Sequence, residues 1–327
     1  MARLARVSQK TVSRVFNDEP KVSEETRQRV LAAAAQLGYR PNGAARALLT
    51  GRTRRIGVVS LGTAHFGPAS LLVALERAAR TTSYSLSIAN TFEDDPAGLQ
   101  SAANSLLTQG VDAIILSEPI DCGEPLKVDV PVLTLGTAPE VHAPTVLSMP
   151  AAEGGEAASA VTGYLLGLGH TTVHHIAGPQ RWWAARSRRC NWQQTLEAAG
   201  APVPEPLAGD WTPESGYLIG KRLAEDPAVT AVFAANDEMA IGAIHALREA
   251  GRSVPLDVSV AGFDDIPVAA HALPPLTTVS SDNSELAAAG LRYLVGYLAN
   301  SEHPPVQPPP HAHQLVIRRS AAGPRIR

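Results

Sequence analysis

From Arg55 onward the chain repeats one pattern: a short apolar run, an amphipathic stretch of helical period, then another apolar run. Segments 56–60, 85–88, 113–116 and 130–133 have the length and continuous apolarity of strands buried on both faces of a parallel sheet. Segments 71–80 and 99–107 carry the helical spacing that crossover connections need. A second series follows, with strands at 173–176, 231–233, 258–261 and 315–317. Its helices fall at 185–199, 214–224, 239–250 and 286–298. Two such series of similar size predict an α/β fold of two doubly wound parallel-sheet lobes. The 327 residues are 45% apolar but only 5% aromatic, so Ala, Val and Leu must fill both cores.

Residues 1–55 break the pattern. They hold twelve Lys or Arg against four Asp or Glu, a balance of +8, while the remainder carries −11. A basic head on an acidic body points to a polyanion partner for the head alone. Ser8 stands as N-cap of a short helix reaching Asn17. Val12, Val15 and Phe16 share one face of it. Gln9, Lys10, Ser13, Arg14 and Asn17 lie elsewhere, and all can donate hydrogen bonds. Gln and Lys in a first turn, with Arg a turn later, can offer donors to base edges in a major groove. Residues 18–21 are a loop by composition. Ser23 caps a second helix, with Glu24 and Glu25 at its positive end. Val30, Leu31, Ala34 and Leu37 form the expected buried face, and Gly38 stops the helix. The Ala-rich stretch 43–49 is too short for a helix stable by itself. A basic linker follows at 50–54.

Three motifs stand in fixed order: Val-Ser-x-x-Thr-Val-Ser-Arg-Val at 7–15, Val-Ser-x-x-Thr-Arg at 22–27, and Leu-Gly-Tyr-x-Pro-Asn-x-x-Ala-Arg-x-Leu at 37–48. This order and spacing resembles the head of the lac/galactose repressor (LacI/GalR) family, and the resemblance continues to near residue 320. It implies a helix-turn-helix whose second helix enters the major groove, a homodimer on a palindromic double-stranded DNA operator, and a sugar-type effector domain. By matching position, Gln9, Lys10 and Arg14 would read bases. Ser8, Thr11, Ser13, Asn17 and Lys21 would mainly contact phosphates, which position without specifying. Segment 43–49 matches the family's hinge helix, which pairs across the dimer in the minor groove. Leu48 matches the leucine that wedges between base steps, with Asn42 and Arg46 beside it. The resemblance also implies three crossings between lobes, placed near 150, 280 and 310. The organisation expected is therefore a head at 1–50, one lobe from 51–150 and 281–310, and another from 151–280 and 311–327. Two departures matter. The family has several more residues before Ala2, and it has Gly where this chain has Arg6. A left-handed non-Gly residue there would cost about 1–2 kcal/mol, so a weakened head is expected.

In doubly wound sheets, ligands bind beyond the C-terminal ends of the strands. Candidate residues sit there at 60–68, 177–186, 209–211, 235–237 and 262–265. Aromatic faces combined with Arg, Asn and Asp suit a polyol, whose C–H face packs on a ring while neighbouring hydroxyls take bidentate side chains. The family resemblance assigns effector binding to Phe66, Trp182, Arg186, Trp211, Asn236 and Asp264. Asp237 reads better as a helix N-cap than as a ligand, Trp183 as packing, and Asp265 as a cap. His174 and His175 point to opposite faces of a strand, and His311 and His313 lie in a Pro-rich stretch, so no metal site is expected. Cys122 and Cys190 make no disulfide framework. Gly-rich phosphate loops and a catalytic nucleophile are not evident, so neither a cofactor nor an enzyme activity is expected. With no apolar stretch near the ~20 residues of a membrane span and no signal-type N-terminus, a soluble cytoplasmic protein is expected. The sequence thus reads as a dimeric or larger DNA-binding transcription regulator, a repressor, switched by a sugar-type effector between its lobes. No heptad at 321–327 supports a tetramer through a C-terminal coil. Two alternatives stay open: a cytoplasmic sugar-binding protein or enzyme with a vestigial head, and a regulator with a purine-like corepressor.

Overall fold

The computed structural model describes residues 1–16, 22–39, 51–93, 95, 98–117, 119–121, 123–149, 155–310 and 312–325. Residues 1–54 and 55–327 form two compact units. In the smaller, α1 (Gln9–Phe16) and α2 (Glu24–Gln36) follow a single turn closed by Ala5 N–H on Met1 O at 2.9 Å. Ser8 and Ser23 cap the two helices, accepting from Thr11 N–H at 3.1 Å and Thr26 N–H at 3.4 Å. Ala5, Val15, Val30 and Ala33 make the core, with Val12 and Phe16 packed on it. The apolar face read for α1 is therefore the buried one.

The face read for α2 needs correction. Leu31 and Leu37 are 48% and 54% exposed, and Ala33 is buried in their stead. At 3.6 residues per turn Val30, Ala33 and Ala34 share a stripe, and Leu31 lies 100° round from Val30. Gly38 ends the helix at φ 60, and Tyr39 N–H closes back on Ala34 O at 2.9 Å. Arg6 takes φ 51, the left-handed conformation that favours glycine. Asn17, Lys21, Asn42, Arg46 and Leu48, the hinge segment 43–49, Cys122, His311 and the crossing at 150–154 lie outside the described residues.

The larger unit is α/β and holds two parallel sheets. The first is ordered β2 (Ser85–Thr91), β1 (Arg55–Leu61), β3 (Ala113–Ser117), β5 (Val132–Leu135), β7 (Val146–Met149). A short pair, β4 (Leu126–Lys127) and β6 (Val141–His142), lies apart from it. Side chains alternate between its two faces. Val58, Ile115 and Leu133 pack under α3 (Phe66–Ala79) and α9 (Asn283–Ala299), while Val59, Ile114 and Leu116 pack under α4 (Gly98–Thr108). The second sheet is ordered β11 (Ser259–Ala261), β10 (Ala231–Ala234), β8 (His174–Ala177), β9 (Leu207–Ala208). Val232 and Ile176 face Met239 and Ile244 of α8 (Asp237–Glu249) and Ile219 of α7 (Pro213–Glu225). Phe233 and Ala231 face Ala158 of α5 (Gly155–Gly167) and Trp192 of α6 (Trp183–Ala198).

Two strand readings change in detail. The stretch 85–88 belongs to an edge strand, with Ile88 46% exposed, and is not buried on both faces. Segment 315–317 is no parallel strand. Its residues belong largely to β13 (His313–Val316), which pairs antiparallel with β12 (Thr278–Ser281) in a separate ribbon.

Candidate ligand cleft and nucleic-acid interface

Strand order locates the cleft. In the first sheet β2 and β3 flank β1 on opposite sides, and in the second β9 and β10 flank β8 likewise. Each is a topological switch point, where the loops leaving adjacent strands splay apart and open a crevice. The loops after β1, β3, β8 and β10 all reach one cleft of about 210 Å³. Its first-lobe wall includes Phe66, Ser117 and Leu135, and its second-lobe wall includes Trp182, Trp211 and Asp264.

The second-lobe wall is held by a connected network. Arg188, buried on α6, donates to Ala235 O and to Asp264 Oδ1 at 3.3 Å, and its guanidinium lies 3.6 Å over the Phe263 ring. Burial pushes the Asp264 carboxyl up to about 6, against the pull of Arg188. Asn236 caps α8 by accepting from Met239 N–H at 3.0 Å, and its amide donates to Trp211 O at 2.9 Å. That second bond fixes Trp211, whose backbone sits at φ 73. The Trp211 ring lies where a Cβ on Gly178 would stand, so glycine is required under it. Trp182 meets Trp211 edge-on at 5.4 Å, and His65 meets Trp182 edge-on at 5.7 Å. Asp264 takes φ 104 and Asp265 φ 50. Three strained residues beside one crevice are a common mark of a functional site.

The structure gathers Phe66, Trp182, Trp211, Asn236 and Asp264 around the cleft and leaves Arg186 out of its lining. Arg186 turns instead to Asp121, at 2.9 Å. Arg188 takes the place in the lining. Trp183 also lines the cleft and is not mere packing. Asp237 does not cap α8; it is buried at the first helical position, accepting from Thr278 Oγ1 and from Ile266 N–H at 2.9 Å. Asp265 pairs with Arg318 at 2.7 Å. Four buried donors beside the cleft, Nε1 of Trp182, Trp183 and Trp211 and Nε of Arg188, have no hydrogen-bond partner among the described residues.

In the head, Gln9, Lys10 and Ser13 are exposed on the side of α1 away from Val15, Ser8 is exposed at the start of the helix, and Thr11 and Arg14 are half-buried. Ser8 and Thr11 hydroxyls bond one another at 2.9 Å at the start of the helix. Among the described residues no helix is long and apolar enough to cross a membrane, and no group of three or more His, Cys, Asp or Glu could hold a metal ion.

Residues 1–42 match the family model described as bacterial regulatory proteins, lacI family, and 162–321 match the periplasmic binding protein-like domain. The lactose operon repressor of Escherichia coli K12 is 31% identical over 288 residues, covering 86% of this chain and 79% of that protein. The transcriptional repressor PurR of Pasteurella multocida is 30% identical, covering 98% and 97%. Among solved structures, the lac repressor dimer bound to operator and the anti-inducer ONPF superposes with a TM-score of 0.80 at 28% identity, covering 98% of this chain and 97% of that one. The regulator CelR in complex with cellobiose gives 0.70 at 30% identity, covering 98% of each. The chain belongs to the lacI family of bacterial regulatory proteins, DNA-binding transcriptional repressors with a periplasmic-binding-protein-like core.

Proposed function

We propose that a sugar-type effector binds in the cleft and that its occupancy controls how tightly a homodimer of this chain holds a palindromic DNA operator. One observation carries the effector class. Arg188 and Asn236 bring donors to the cleft lining, beside Asp264 and the rings of Phe66, Trp182 and Trp211. That mix of polar groups and aromatic faces suits a ligand rich in hydroxyl and ether oxygens. Aromatic faces beside those donors take the C–H face of a sugar ring, and Asp264 accepts from its hydroxyls. Phe66, Trp182, Trp211, Asn236 and Asp264 form the effector set, with Arg188 replacing Arg186. Gln9, Lys10 and Arg14 read base edges, and Ser8, Thr11 and Ser13 contact phosphates. Acting on chromosomal DNA, the protein works in the cytoplasm.

The test is a gel-shift titration on random-sequence duplex pools at two salt concentrations, followed by a sugar panel on the selected site. A palindrome should emerge, affinity should fall steeply with salt, and one sugar should release the complex. Weak, unselective binding would leave a sugar-binding protein with an inactive head. A second reading keeps the regulator and makes a purine its corepressor, since the same aromatic walls can stack a planar base and PurR is a relative. Purine bases in the same panel would then tighten the complex, where a sugar inducer releases it.

A further inference from the structure

Arg186 is outside the cleft yet tied to one of its walls. The turn before α6 meets the segment that leaves β3 in the opposite lobe. Trp183 N–H donates to Pro119 O at 3.0 Å, and Asp121 N–H donates to Arg181 O at 2.9 Å. These bonds make a short antiparallel bridge centred on Ile120 and Trp182. Ile120 comes from the first lobe but is only 3% exposed and packs in the core cluster of the second, beside Trp182 and Trp211. Arg186 adds an ion pair, Nη2 to Asp121 Oδ2 at 2.9 Å, and its guanidinium stacks 4.2 Å over Trp183, which lines the cleft. Arg181 Nη1 reaches across to Glu93 O at 3.0 Å. The hydrogen bond from Arg186 holds the Asp121 carboxyl below its usual range, so the pair is charged at neutral pH.

We infer that Asp121 and Arg186 form a latch between the lobes, holding the Trp182–Trp183 wall over the cleft and shifting the core toward its closed arrangement without touching the bound molecule. Both are positioning residues, and their value for effector binding rests on the cleft being the effector site. Neither side chain is deeply buried, at 39% and 32% exposure, so the expected shift in the open population is about 1.5- to 5-fold.

The test uses the full chain without sugar and acrylamide as the probe. Of the four tryptophans, Trp182, Trp183 and Trp211 line the cleft and Trp192 is fully buried. Acrylamide quenching of tryptophan emission should rise in both D121N and R186Q, by no more than about 5-fold, because the half-exposed Trp183 is quenched in the closed arrangement too. Salt near 1 M should raise it in the wild type and leave R186Q unchanged. The charge swap D121R/R186D should return quenching toward the wild-type value. Melting temperatures check that each variant folds, and the wild-type salt response needs no variant at all. Unchanged quenching in the single variants, a rise in R186Q without one in D121N, or a wild type indifferent to salt would each overturn the latch. If no sugar releases operator while quenching still follows the ion pair, the latch stands and the sugar assignment fails.

Discussion

Asp237 is buried at the start of α8 and has two donors, Thr278 Oγ1 and Ile266 N–H. Burial, reinforced by the nearby Asp264, pushes its carboxyl up to about 8. Burial likewise pushes Asp264 up to about 6. It pushes His175, stacked between Trp192 and Phe233, down from 6.5 to about 4. The signs differ. A native-state acid with a raised pKa keeps a proton the unfolded chain has released, so its stabilisation is complete below the unfolded value and is lost as pH rises through the native one. A base with a depressed pKa contributes above its unfolded value and loses that contribution as pH falls through the native one. From pH 6.5 to about 8, therefore, Asp237 is the main group of these three still titrating, the last protons of unfolded His175 and native Asp264 leaving near the lower end. Stability of the core should fall across that window by up to about 1.4 kcal/mol per pH unit, and Asp237→Asn should flatten the slope. Urea unfolding at both ends of the window reads this directly. A flat wild-type profile would mean that the carboxyl is already ionised at pH 6.5.

At the scale of elements, α7 and α8 pack with their backbones in contact. A Cβ on Gly216 would overlap Met239 O, and one on Gly242 would overlap Pro213 O. Both obstacles are main chain, so no side chain can rotate away. Gly242→Ala should gain about 1 kcal/mol of helix propensity and lose more to forced separation, for a net loss of about 1–3 kcal/mol in urea unfolding. An unchanged or higher midpoint would show that the helices can slide apart freely. The same scale decides what could be read in advance. The runs at β1, β3 and β10 were legible because both faces are buried, leaving nearly continuous apolar stretches such as Val58-Val59, Ile114-Ile115-Leu116 and Val232-Phe233. β7 escaped because it is an edge strand alternating exposed and buried residues, and β12 because Thr278 and the two serines supply no apolar run. α5 is rich in Ala and Gly and lacks a polar face to give it a period. Arg186 and Arg188 show the limit at the site. Two positions apart on a helix they point about 200° apart, and only the phase of α6 against the cleft chooses between them.

For the whole molecule, what matters is that the residues proposed for base contact and for effector contact lie in separate compact units. The head carries the positive balance and the core the negative one, so the attraction to DNA belongs to residues 1–55. An effector can change operator affinity only by binding two arrangements of the core unequally, and linkage then requires operator to change effector affinity by the same factor. Trp211 tests this division. It is a wall of the cleft, held by Asn236 at the C-terminal end of β10. Trp211→Ala should leave operator affinity without sugar within about two-fold of the wild type, as expected for independent sites that share no partner. The response to the sugar that releases the wild-type complex should disappear. The measurement is one gel-shift titration, with and without that sugar, on both proteins. Release persisting at wild-type sugar concentrations would place the effector elsewhere. A loss of operator affinity in the absence of sugar would mean that the cleft wall sets the resting arrangement of the core as well as the liganded one. In the wild type, tryptophan emission can follow sugar binding with operator present and absent, and the ratio of the two affinities must equal the factor by which the sugar weakens operator binding.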